Sequence, residues 1–151
     1  EDSIYLHDMH DMKVLHRLFD LPLNLDGLCA LSPNETAPYL AYPDSEITGT
    51  IQIFDTEKLV RLDENSHLIN GKISIFVEQI NVINAHENQL VAMAFDLSGL
   101  LIATASIKVI ERKSLTEAIK FCCSSQKGTL IRVHNVVDGK CVAEYRRGSM
   151  R

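Results

Sequence analysis

With 151 residues, 46% of them apolar, the chain has material for one ordinary domain, yet no apolar run reaches the roughly 18 residues that a membrane-spanning helix needs. Its 15 basic and 20 acidic residues give a net charge of −5, but residues 127–151 hold six basic residues against two acidic ones, which makes the tail +4 and the rest −9. That asymmetry excludes a protein that coats nucleic acid along its whole surface and points to a local anionic partner.

The chain opens on Ser3-Ile4-Tyr5-Leu6-His7, an alternating stretch that reads as a strand with no leader before it, so the chain is expected to begin inside a fold. Gly27-Leu28-Cys29-Ala30-Leu31-Ser32 and Tyr39-Leu40-Ala41-Tyr42 then form a predicted hairpin. At an offset of 62 residues the same design returns as Gln89-Leu90-Val91-Ala92-Met93-Ala94-Phe95 and Leu101-Ile102-Ala103-Thr104-Ala105. A second repeated element alternates apolar residues and ends in a polar pair: Ile4 to Asp8, Ile51 to Asp55, and Leu130 to Asn135. Its Asp or Asn falls where propeller blades place the Asp of their Trp-Asp pair.

Asp8 and Asp55 are 47 residues apart, close to the roughly 40–45 of one WD40-type blade, whereas Asp55 and Asn135 are 80 apart. The excess is assigned to inserted material at 60–80 and 107–126. Asn70-Gly71 in the first stretch signals a tight hairpin. In the second, Leu115, Ala118, Ile119 and Cys122 have helical spacing, and a short amphipathic helix and an irregular loop stand as equal readings. The predicted strands are 27–32, 39–43, 50–54, 90–95, 100–105, 129–134 and 140–146. Leu28, Ala30, Leu40, Ile53, Ala92, Ala94, Ile102 and Ile131 are expected to be buried.

The last strand ends in Tyr145-Arg146-Arg147-Gly148. Side chains alternate across a strand, so the two arginines are expected on opposite sides, each able to serve a separate anion site. A guanidinium grips phosphate through a two-pronged fork, whereas lysine supplies a point charge. The plain alternative is a solvated strand end. The four cysteines, Cys29, Cys122, Cys123 and Cys141, show no C-x-x-C spacing and read as reduced thiols, and His7, His10 and His16 lack partners at a metal-binding spacing. With no G-x-S-x-G, P-loop or dinucleotide glycine set, neither catalysis nor a cofactor or metal is expected.

The series Gly27-Leu28-Cys29-Ala30-Leu31-Ser32, Tyr39-Leu40-Ala41-Tyr42-Pro43, Ala85-His86, Ala103-Thr104-Ala105-Ser106, Lys127-Gly128-Thr129-Leu130-Ile131-Arg132-Val133 and Tyr145-Arg146-Arg147-Gly148 resembles the PROPPIN family. These are WD-repeat proteins interacting with phosphoinositides, and the likeness is to the Atg18/WIPI branch. The resemblance implies an all-β fold, a partial WD40-type β-propeller of about two and a half blades out of roughly seven. Residues 1–26 would end one blade, 27–84 make a second with the insertion at 60–80, 85–146 a third with the insertion at 107–126, and 147–151 start the next.

It further implies an effector of phosphatidylinositol 3-phosphate and phosphatidylinositol 3,5-bisphosphate in autophagosome formation. Such a protein is cytoplasmic and recruited peripherally to phagophore and endosomal membranes. Its partners are 3-phosphorylated lipids and autophagy proteins of the lipid-conjugation or lipid-transfer machinery, with no nucleic acid. The headgroup pocket carried over from the family comprises His86, Thr104, Ser106, Gly128, Thr129, Arg132 and Arg146. Arg147 would face a second pocket, and Gly148 completes the motif. The residues also admit plainer roles: His86 bonding inside the fold to an acid or hydroxyl, Thr104, Ser106 and Thr129 as ordinary strand residues, and Arg132 on a solvated face.

The chain departs from the pattern at three places. About twenty residues separate Ser106 from Lys127, which are nearly adjacent in the family, so Ser124 or Ser125 competes for the place of Ser106. Tyr145 replaces the usual Phe or Leu, and His10 stands where Arg is frequent in the branch that recruits the lipidation machinery. The alternatives to a lipid effector are a generic WD40 interaction scaffold and an inactive truncated product of such a gene.

Overall fold

A computed structural model describes residues 3–24, 26–59, 79–107 and 127–146, with the side chains of 127–129 left aside. Among the described residues ten strands run in chain order: β1 (Ile4–His7), β2 (Val14–Leu18), β3 (Ala30–Leu31), β4 (Tyr39–Pro43), β5 (Gly49–Asp55), β6 (Gln79–His86), β7 (Leu90–Phe95), β8 (Leu101–Ile107), β9 (Lys127–Asn135) and β10 (Cys141–Arg146). Every pairing is antiparallel between chain neighbours: β1 with β2, β3 through β6 in order, and β7 through β10 in order. The first strands of the two four-stranded sheets, β3 and β7, lie side by side, the all-β arrangement expected of consecutive propeller blades.

The middle sheet is buried on both faces because β5 carries apolar residues on both. Ile51 and Ile53 point one way and join Ala41, Ile83, Ala85, Leu90, Ile102 and Val136 in a cluster between the two four-stranded sheets. Phe54 points the other way, where it stacks on Tyr42 with ring centroids 5.6 Å apart and joins Leu18, Leu40 and Leu59 against the β1–β2 pair. Asp55 caps a helical turn at 56–59, its Oδ1 accepting from the amides of Glu57 (3.0 Å) and Lys58 (3.3 Å), and the turn delivers Leu59 to that cluster.

Two expectations need correction. The strand expected over 27–32 shrinks to Ala30–Leu31. The Asn24 side chain takes both backbone groups of Leu28, accepting from its N–H and donating to its carbonyl at 2.8 Å each, while Gly27 turns at φ +61°. A side chain that satisfies the backbone this way removes it from the ladder, so Leu28 and Ala30 are only partly buried. Burial also fails for Ala92, Ala94 and Ile131, which are exposed, Ile131 at 38%. Cross-strand pairing puts Ala92, Ala94, Ala103, Ala105, Ile131 and Tyr145 on the face of the β7–β10 sheet turned away from the core, and among the described residues that face stays open. Leu40, Ile53 and Ile102 are buried as expected. The Asn70-Gly71 hairpin and residues 108–126 of the second stretch lie outside the described residues, whereas 79 and 80, counted with the first insertion, belong to β6, and Ile107, counted with the second, ends β8.

Candidate functional site

One row of cross-strand partners organises the site. Met93, Thr104, Arg132 and Glu144 stand opposite one another across β7, β8, β9 and β10, so their side chains share the face turned toward β6. His86, the last residue of β6, is buried against that row: its Nε2 lies 3.1 Å from Thr104 Oγ1 and 3.3 Å from Thr104 O. Thr104 Oγ1 in turn donates to the Arg132 carbonyl at 3.3 Å, which leaves its lone pairs for His86 and places the imidazole proton on Nε2. Gly49, opposite His86 in the ladder, is what admits the ring's backbone so close, because a Cβ there would lie 2.5 Å from His86 Cβ and 2.8 Å from Asn88 O.

Arg132 is held at three corners of the site. Its Nη1 donates to Ala85 O at 2.7 Å, its Nε donates to Glu144 Oε2 at 3.0 Å, and its backbone carries Thr104. Two residues beyond Glu144 on the same face of β10, Arg146 brings Nη2 to 3.6 Å from Glu144 Oε1. Two guanidiniums thus stand at one sheet edge with a carboxylate between them.

Burial lowers the pKa of the His86 ring and the Arg132 charge adds to that, while the Thr104 carbonyl and Glu144 oppose it. His134, two residues from Arg132 on the same face, is buried with its Nδ1 unpartnered among the described residues. Its pKa is lowered too, by burial first and then by His86 and Arg132. With both imidazoles disfavoured as cations, the positive charge of the site comes from the arginines.

The structure therefore brings His86, Thr104, Arg132 and Arg146 together. Ser106 is buried one alternation step from Thr104. Gly128 and Thr129 contribute backbone to β9, and the side chain of Thr129 lies outside the described residues, as do Arg147 and Gly148 entirely. The side of the strand expected for Arg147 falls outside with them. Arg132 is no plain solvated side chain. Glu144, His134 and Gly49 were missed by the sequence reading. The signal for Glu144 was available, since a residue two before Arg146 on an extended strand shares its face. Among the described residues no group of His, Cys, Asp or Glu is arranged to hold a metal ion.

The PROPPIN family model matches residues 1–120. The chain is similar to WD repeat domain phosphoinositide-interacting protein 2 of Gallus gallus, 38% identical over 151 residues that cover 100% of this chain and 26% of the relative. It is 37% identical to protein 1 of that name from Homo sapiens, with the same coverage, and 31% identical to Autophagy-related protein 18 of Caenorhabditis elegans, covering 28% of it. The chain thus spans about a quarter of the length of these curated relatives. Among solved structures, a complex of KlAtg21 with the coiled coil of AgAtg16 superposes with a TM-score of 0.58 at 25% identity, over 99% of this chain and 38% of that one. Kluyveromyces lactis Hsv2 gives 0.56 at 20% identity, over 100% and 34%, a likeness of fold.

Proposed function

The chain belongs to the PROPPIN family, and from that premise we propose that it supplies the arginine-lined half of a phosphoinositide headgroup site in an autophagy WD-repeat propeller. The ligands are phosphatidylinositol 3-phosphate and phosphatidylinositol 3,5-bisphosphate, and the work is binding, not catalysis. The observation that carries this reading is the convergence of Arg132 and Arg146 at one sheet edge, braced from behind by His86 and Thr104. Two adjacent guanidiniums offer the forked donors that a phosphate monoester accepts. A buried, neutral imidazole serves there as a brace that fixes the strand carrying Arg132 and adds no charge.

In this reading the protein moves from the cytoplasm to phagophore and endosomal membranes, where autophagy proteins meet it. The solved complex of KlAtg21 with a coiled coil supports a helical partner of that machinery.

Vesicle flotation tests the lipid assignment. Each basic residue near an anionic surface contributes about 1 kcal/mol, so Arg146→Thr is expected to weaken binding to vesicles carrying phosphatidylinositol 3-phosphate by roughly fivefold, with added salt weakening it further. Binding indifferent both to salt and to the substitution would remove the site from this edge.

A further inference from the structure

We propose that Glu144 is a built-in competitor for the headgroup phosphate, a resident carboxylate that the ligand must displace from the two arginines and that sets the affinity threshold of the site. The inference rests on the lipid reading above and concerns the regulation of the same site.

Glu144 stands directly opposite Arg132 in the ladder and two residues before Arg146, so all three side chains emerge on one face. One oxygen meets Arg132 Nε at 3.0 Å and the other lies 3.6 Å from Arg146 Nη2. The carboxylate therefore spans both guanidiniums as a forked anion would. The side chains of Arg132, Glu144 and Arg146 are 31%, 37% and 82% exposed, so solvent and a ligand reach the bridge. An exposed pair of this kind is weak and exchanges readily.

The competition has a definite winner. A carboxylate brings one negative charge and two acceptor oxygens, whereas a phosphate monoester brings about −1.5 to −2 and three. A phosphodiester or the carboxylate of an ordinary anionic lipid brings a single charge and gains little by the exchange. Arg132 keeps its Nη1 bond to Ala85 O throughout, so releasing Glu144 frees Nε without releasing the guanidinium. The resident carboxylate thus lowers the binding of every anion, and the monoester, which gains most by the exchange, keeps the advantage.

The experiment measures binding of the full chain, as wild type, Glu144→Gln, Arg146→Thr and the Glu144/Arg146 double variant. Phosphatidylcholine vesicles carry either phosphatidylinositol 3-phosphate or phosphatidylserine of equal total charge. Asp138→Asn serves as control, since Asp138 pairs with Lys140 in the β9–β10 turn and its loss changes net charge equally. Glu144→Gln is expected to strengthen binding to both vesicles by about two- to fivefold, the range set by exposed ion pairs. Asp138→Asn should do so far less, and the gain should shrink when Arg146 is already Thr, because only the contact with Arg132 is then left to release. Glu144→Ser, which also removes the carboxylate, must move the same way.

Weaker or unchanged binding of Glu144→Gln overturns the proposal by making Glu144 a mere support for Arg132. A gain matched by Asp138→Asn or undiminished in the Arg146→Thr background overturns it as long-range charge. Failure of the lipid reading looks different: wild type would then show no preference between the two vesicles, whatever Glu144→Gln does.

Discussion

His134 lies within the field of His86 and of Arg132 from β9, while His86 has Arg132 and Glu144 from β10 as its ionic neighbours. Both rings have their pKa lowered below the usual 6.5, chiefly by burial. In the unfolded chain the rings titrate near that usual value. Above it both states are neutral and the full stability is present; as pH falls through it, the unfolded chain takes up protons that the folded one resists, and stability drops until the folded rings charge as well. The thermal midpoint is therefore expected to fall between about pH 7.5 and about pH 5.5, and the double variant His86→Asn/His134→Asn should flatten that slope. An equal slope in the double variant would place the acid sensitivity elsewhere. At this scale the sequence disclosed the arginines through their spacing and their tail charge, while burial of the two imidazoles depends on how sheets stack, which no local pattern encodes.

At the scale of elements, the seat of His86 depends on Gly49. A methyl group at that position meets backbone and Cβ atoms and no flexible side-chain tip, so β5 and the end of β6 must separate to admit it. Gly49→Ala is expected to cost about 1–3 kcal/mol in urea denaturation, in the range of overpacked cores, and to weaken vesicle binding along with stability. A change of only a few tenths would mean the strands approach less closely. The repeated hairpins were legible because period-two alternation and turn residues are local properties, and six of the seven predicted strands lie within a few residues of β4, β5, β7, β8, β9 and β10. The seventh is shortened to Ala30–Leu31 by the Asn24 side chain, whose bonds to Leu28 compete with the ladder in a way that alternation does not reveal.

At the scale of the molecule, among the described residues two four-stranded sheets and a two-stranded pair stack so that the middle sheet is covered on both faces and the β7–β10 sheet on one. Alternation led to Ala92, Ala94 and Ile131 being expected in the core, whereas strand register places them together on the other face of the sheet. The pattern did not say whether another layer covers that face, because small apolar residues look alike on a covered and an uncovered side. Alternation alone puts Glu144 beside Arg146, but its pairing with Arg132 comes from a neighbouring strand, and the register that joins those two is a property of the assembled sheet.

Strand pairing in chain order also fixes the sequence of events by which the molecule assembles. Most neighbouring strands are joined by short turns, but β5 to β6 and β8 to β9 each require a connection of about twenty residues. Closing such a loop costs roughly 1 kcal/mol more than closing one of about five. Those two pairings are the ones that place His86 and Arg132. The β4–β5 and β7–β8 hairpins therefore form early, and the proposed headgroup site is the last part to acquire order. Pulse-labelled hydrogen exchange should record late protection at the amides of Ala85 and Arg132 relative to those of Ile53 and Ala94, and simultaneous protection would mean that the long connections do not limit folding.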